Sequence, residues 1–103
     1  MVKVTVLYPN DDGKKFDMSY YLETHIPVVR KLLGAACTNA SVDGGISGGM
    51  PGSKAPYAAI GHFFFNTIDD FNSSFTPHAN IIMTDIPNYT DITPILQLSE
   101  IKM

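Results

Sequence analysis

The stretch from Tyr57 to Asn66, YAAIGHFFFN, is apolar on both faces that a β-strand presents. At a period of two, Tyr57, Ala59, Gly61, Phe63 and Phe65 share one face, and Ala58, Ile60, His62 and Phe64 share the other. A strand with one face in water carries polar residues on that face. This one predicts cover on both sides. The chain has 103 residues, the length of one domain. Its own helices can cover one face of a sheet. The economical cover for the other is a second copy, so the expected partner is a homodimer joined through the sheet face.

The other elements follow from their periods. Val2, Val4, Val6 and Tyr8 alternate with Lys3, Thr5 and Leu7, which predicts a strand. Pro9 to Lys15, PNDDGKK, is a turn by composition. A helix is expected over residues 16–34, capped by Asp17 or Ser19 and stopped at Gly34. Residues 36–48, with alanine, threonine, serine and valine, allow a second strand. Asp43 to Pro56, with five glycines and two prolines, reads as a long hairpin connection. Within it no glycine precedes a lysine and no GxGxxG is present, which excludes a phosphate loop.

After the doubly apolar strand, Thr67-Ile68-Asp69-Asp70 resembles a capping box with Asp in place of Glu. Ile68, Phe71 and Phe75 then keep helical spacing. Thr76-Pro77 is a second start signal, followed by the apolar stripe Ala79, Ile82, Met83 and Ile86, which ends at Pro87. Ile92 to Ile101 reads as a last strand, with Leu96 and Leu98 on one face and Ile95 and Ile101 on the other. The order is strand, helix, strand, strand, helix, strand. That is an α+β domain over residues 1–103, the ferredoxin-like βαββαβ arrangement with one antiparallel sheet and both helices on one of its faces.

Charge removes several partner classes. Seven Lys and Arg stand against ten Asp and Glu, for a net charge of -3, and they are scattered. No basic run exists to hold nucleic acid or an anionic membrane surface. No run approaches the ~18 apolar residues of a membrane span. MVKVTVLYP alternates and lacks a signal-peptide core and cleavage site. Cys37 has no second cysteine to bridge, and a cytoplasmic location is the expectation. Cys37 reads as a small strand or loop residue rather than a nucleophile.

The helix at 16–34 carries the feature closest to chemistry. At about 100° per residue, Met18, Leu22, Ile26, Val29, Leu32 and Leu33 form one apolar arc with His25 near its middle. Glu23 and Arg30 fall outside it. Pro27 lies on the far side and lacks the N–H that the carbonyl of Glu23 expects. A kink or restart is predicted there, opening space beside His25. An inward histidine of this kind is either a satisfied core residue or an acid/base group.

Three stretches together resemble a known family: VLYP…FDMSYYLETHIPVVRKLLG, PYAAIGHFFF and FTPHANIIMTDIPNYTD. They look like the EthD family, named for its association with ethyl tert-butyl ether degradation. Tyr21 with His25 and Pro27, and the run Asp85 to Asp91, are the most distinctive pieces, and the likeness extends from Val4 to Ile101. It implies a dimeric α/β barrel, in which two ferredoxin-like protomers join their sheets. Relatives by fold include isomerases, cyclases and cofactor-independent monooxygenases, commonly with a ligand cleft between sheet and helices. Fold alone does not select a reaction.

The resemblance sharpens His25 as an acid/base or ligand-orienting group. His62 joins it in one cleft if the face of Ile60 and Phe64 is the helix side; otherwise it belongs to the dimer interface. His78, in the first turn after Thr76, and Asp85 share one edge of the following stripe, as ligand contacts or as capping groups. Tyr20, Tyr21, Tyr57 and Tyr89 are candidate pocket hydroxyls, with Phe64 and Met83 as apolar lining. The histidines form no HxxxH pair and have no spaced acids beside them, so no metal is expected. No Ser-His-Asp set can be argued for nucleophilic catalysis. No nucleotide motif is present, and no cofactor is expected. The expectation is a small catabolic protein that binds a modest apolar, oxygen-bearing organic molecule. As an enzyme it would resemble a cofactor-free oxidoreductase or monooxygenase, or an isomerase or cyclase. The alternative is a ligand-binding or accessory protein to an oxidising system.

Overall fold

The computed structural model describes all 103 residues. Strands β1 (Val2–Pro9), β2 (Cys37–Gly44), β3 (Tyr57–Phe65) and β4 (Ile95–Glu100) form one antiparallel sheet in the order β2-β3-β1-β4. With helices between β1 and β2 and between β3 and β4, this is the ferredoxin-like βαββαβ fold. Register places Val2 opposite Phe65, Val4 opposite Phe63 and Val6 opposite Gly61. Those inward residues meet Val29 and Leu33 of the first helical unit and Ile82 of the second in one apolar core.

The face of β3 is now assigned. Ala59, Gly61, Phe63 and Phe65 are buried beneath the helices, whereas Ile60, His62 and Phe64 lie half-buried on the helix-free face. The last strand begins at Ile95 rather than Ile92; Ile92 instead packs beside Tyr8, Tyr21 and Tyr89. Leu96 and Leu98 face the helix side but remain partly exposed at the sheet edge.

The first helical unit departs from a plain helix. Asp17 caps it by accepting from the Tyr20 N–H. An α-turn, α1 (Met18–Tyr20), is followed by a π-turn (Tyr21–His25) and then α2 (Ile26–Leu33). The Ile26 N–H reaches back to the Tyr21 carbonyl, an i to i−5 bond that inserts one extra residue. Pro27 therefore sits in the first turn of α2, where a missing N–H costs little. The predicted restart exists, and its form is a π-turn ahead of the proline. The wider turn changes the facing. Tyr21, His25, Val29 and Leu33, four residues apart, form the buried stripe, and Leu22, expected inside, is exposed. The second unit is α3 (Ile68–Phe75), capped by Thr67, then a 3-10 turn (Thr76–His78), α4 (Ala79–Thr84) and another 3-10 turn (Ile86–Asn88). Thr67 Oγ1 accepts from the Asp70 N–H at 3.0 Å, half of the expected capping box.

Candidate functional site

The stripe from the π-turn aims His25 between the sheet and α4. His25 is 5% exposed, and its Nδ1 lies 2.8 Å from Asp85 Oδ2. Asp85 follows α4 directly, 60 residues away along the chain. Its other oxygen accepts from the Tyr20 hydroxyl at 2.8 Å and the Asn88 amide at 2.8 Å. On the opposite side of the ring, Nε2 lies 3.4 Å from the Tyr89 hydroxyl, which is 2.7 Å from the Tyr8 hydroxyl. Tyr21 stacks on the imidazole at 5.6 Å with an interplanar angle of 15°. Tyr89 lies 4.6 Å from the ring centre.

Backbone stitching holds Tyr89 in this position. Its carbonyl accepts from Asp17 N at 2.7 Å, Phe16 bridges to Thr90, and Asp91 accepts from Lys15 N at 2.7 Å. Thr90 Oγ1 donates to the Lys15 carbonyl and accepts from Ile92 N at 3.0 Å. The segment after α4 and the segment before α1 are thus one unit, and they carry Tyr89, Asp85 and His25 into register. Tyr8, Phe16, Tyr21 and Tyr89 pack edge to face or tilted around the hydroxyl pair at centroid separations of 4.9 to 6.0 Å.

A narrow apolar cleft opens from this polar end between the sheet and the helices. It is lined by Val6, Phe63, Phe75, Met83 and Leu96 among others, and its free volume is ≈ 40 Å³, room for about three waters. Met83, 41% exposed at the edge, is the flexible part of the lining. His25 also faces a second space, an open groove between α2 and α4 lined by Tyr20, Thr24, Ile81, Thr84, Asp85 and Asn88.

Electrostatics set the protonation states. Burial pushes the His25 imidazolium form down, and the Asp85 hydrogen bond and charge offset it only in part. Burial of Asp85 favours its acid form, but donation from Asn88, His25 and Tyr20 outweighs this and holds the carboxyl below its usual range. A neutral imidazole beside a carboxylate must donate from Nδ1, which leaves Nε2 as an acceptor on the Tyr89 side of the ring. At 3.4 Å the contact to Tyr89 is longer than an ordinary hydrogen bond, so this lone pair is weakly engaged. Burial, first of all causes, pushes the phenols of Tyr8, Tyr21 and Tyr89 far up, so they stay neutral donors.

A pH dependence follows. His25 and Asp85 both bind protons less readily folded than unfolded, so acid favours the unfolded chain. Stability is expected to begin falling below about pH 6.5, the unfolded histidine value, and to fall further as Asp85 titrates. Urea midpoints between pH 8 and pH 4 check this. The variant His25→Gln is expected to lose the upper part of the slope and retain the acidic part.

The structure brings together His25, Tyr21, Asp85 and Tyr89, with Met83 at the cleft edge. Tyr20 joins them through its hydrogen bond to Asp85, whereas His62, Phe64, His78 and Tyr57 stay apart. His62 and Phe64 lie on the opposite sheet face, because the helix side is that of Gly61 and Phe63. His62 Nε2 instead pairs with Asp43 at 3.0 Å, and its buried Nδ1 has no partner. His78 is half-buried in its 3-10 turn and does not line the cleft, and Asp85 turns to His25 rather than sharing an edge with it. Tyr57 lies at the base of the loop over residues 45–56. Tyr8 and Asn88 were not among the candidates. Tyr8 continues the inward alternation of Val2, Val4 and Val6, and that was its available signal.

The EthD domain model matches residues 13–93, a span that includes His25, Asp85 and Tyr89. An EthD-like protein from Ralstonia eutropha JMP134 is 37% identical, with a TM-score of 0.94 over 99% of this chain and 92% of that one. An ethyl tert-butyl ether degradation (EthD) family protein from Bacillus halodurans C-125 is 17% identical, with a TM-score of 0.67 over 97% of each chain. A dimeric ferredoxin-like protein of unknown function from Thermobifida fusca YX is 14% identical, with a TM-score of 0.59 over 97% of this chain and 90% of that one. No curated protein matches the chain.

Proposed function

This chain belongs to the EthD family, and on that premise we propose that it is a small catabolic protein that takes a modest apolar, oxygen-bearing molecule into the sheet–helix cleft. His25 serves there as a general base and acid, without metal or nucleotide. The observation that carries this reading is the weakly engaged Nε2 of a buried neutral imidazole that lines an otherwise apolar cleft, beside the neutral phenols of Tyr8 and Tyr89. Such a polar end suits a ligand with one oxygen: a donor O–H or an activated C–H meets Nε2, and a tyrosine hydroxyl donates to the oxygen. The free space is smaller than an aromatic ring, so Met83 swings aside on binding.

Phenol is a suitable probe, since it pairs an apolar ring with one O–H. Calorimetry is expected to detect binding to the wild-type chain and a loss of about fivefold to tenfold in His25→Ala, the worth of one hydrogen bond. Turnover of compounds that copurify, followed by mass spectrometry, is measured separately. Unchanged binding and unchanged turnover in His25→Ala would overturn the reading. A bound compound that stays intact through many hours favours the holding or accessory role instead.

The proposed assembly is a homodimer through the helix-free sheet face, where Ile60, His62 and Phe64 are half-buried in a single copy. Lys3 spans the Phe64 ring at 6.0 Å and Asp43 pairs with His62, so polar groups border this apolar stripe. Light scattering at micromolar concentration is expected to give twice the chain mass. Phe64→Asp, which places a charge on that face, is expected to give the monomer mass with the fold retained by circular dichroism.

A further inference from the structure

His25 is a wall between two spaces. The ring lines the apolar cleft, with Nε2 meeting the Tyr89 hydroxyl at 3.4 Å, and its Nδ1 meets Asp85, which lines the open groove between α2 and α4. Val29 and Ile82 complete that wall, since each lines both spaces. The groove side is polar, with Tyr20, Thr24, Thr84, Asp85 and Asn88 around it, and the Asp85 side chain is 25% exposed. The cleft side offers only phenols and hydrocarbon. A proton that enters the ring from the cleft therefore has its polar way out on the other nitrogen.

We propose that Asp85 is the positioning residue and proton exit of this site: it keeps the proton of His25 on Nδ1, leaves Nε2 free for the ligand, and passes protons to the groove outside. The proposal rests on the cleft reading of His25 given above. In the step it describes, the ligand's O–H or C–H bond breaks and an Nε2–H bond forms, which makes an imidazolium beside the Asp85 carboxylate. The Nδ1 proton then passes to Asp85 Oδ2 and to water in the groove, and the ring keeps Nε2–H. When Nε2–H is returned to the ligand, Asp85 takes a proton back from water in the groove and delivers it to Nδ1. The balance is one proton taken and one returned, with no electrons exchanged. Tyr20 and Asn88 occupy the other carboxylate oxygen and so aim Oδ2 at the ring. The remaining groups facing the imidazole are the phenols of Tyr21 and Tyr89, so Asp85 is the charged group that selects the tautomer.

The test is long-range ¹H–¹⁵N NMR of the histidine rings, with His25 assigned by its loss in His25→Gln. At pH 7.5 the wild-type chain is expected to show Nδ1 protonated and Nε2 bare. This tautomer is read on the unaltered chain, the His25→Gln variant serving only for assignment. In Asp85→Asn the amide can donate to Nδ1, so the majority tautomer is expected to reverse to Nε2–H, and phenol binding to weaken with it. Ile81→Trp fills the groove without touching the cleft; it is expected to slow exchange of the Nδ1 proton with water about tenfold, as opening becomes necessary, and to leave phenol affinity unchanged. A wild-type ring protonated on Nε2, or an Asp85→Asn ring that keeps the wild-type tautomer, would overturn the positioning role. Exchange unaffected by Ile81→Trp would overturn the exit. Failure of phenol to bind the wild-type chain, with the tautomer as expected, would instead count against the cleft reading.

Discussion

Replacing Phe65 with alanine is expected to lower stability by about 3–5 kcal/mol, a large share of the 5–15 kcal/mol typical of a folded domain. Phe65 is 0% exposed. It pairs with Val2 on β1 and Cys37 on β2, and it meets Phe71 of α3 edge to face at 5.2 Å. Truncation leaves a void where two strands and a helix meet, and backbone pairing on both sides prevents the strand from collapsing into it. Urea unfolding is expected to show a lower midpoint with an unchanged slope. For a chain of this size each kcal/mol moves the melting temperature by about 4–8 °C, so the melting temperature is expected to fall by roughly 12–40 °C. Phe64→Ala, one residue away on the helix-free face, is expected to cost far less in the isolated protomer. A loss below about 1 kcal/mol in Phe65→Ala, typical of surface positions, would contradict this account of the core.

The contrast between Phe65 and Phe64 shows where the sequence was legible. Alternation in the first and third strands marked two faces, and the order of elements marked the fold, because both are local periods. Which face of β3 turned toward the helices was not local. It depends on register against β1, where Gly61 lies opposite Val6, and a one-residue slip would have exchanged His62 for Phe63. His62 and Phe64 were placed in the cleft on that open choice and belong to the other side.

The site was half legible. His25 stood out as an imidazole on an apolar arc, and Pro27 as a fault beside it. The form of the fault was not visible, since a π-turn has no composition of its own. It rotated Leu22 outward and set Tyr21 above His25. Asp85 was visible as a residue but not as a partner, because 60 residues separate it from His25 and only the pairing of residues 15–17 with 89–91 brings them together. Tyr8 was read as a strand residue, and its hydroxyl acquires meaning only opposite Tyr89.

Gly61→Ala is expected to couple the sheet to the site directly. A Cβ at this position would collide with the Tyr21 hydroxyl. The far end of a long side chain often moves aside at little cost, but Tyr21 is 1% exposed and boxed by Tyr8, Phe16 and Tyr89. The ring must therefore shift as a body, and overpacking of this kind costs about 1–3 kcal/mol. The stability loss is opposed by the strand preference gained on leaving glycine, which is worth roughly 0.5–1 kcal/mol. The larger effect is on the cleft. Tyr21 stacks on His25, so its displacement tilts the imidazole away from Asp85 and Tyr89. Phenol affinity is expected to fall as far as in His25→Ala, although every polar group of the site is still present. The double variant Gly61→Ala with Tyr21→Phe removes the colliding oxygen and is expected to recover most of the stability and the binding. If Gly61→Ala binds phenol as the wild type does, the tyrosine is not what holds His25 in place, and the Asp85 hydrogen bond alone must set the ring.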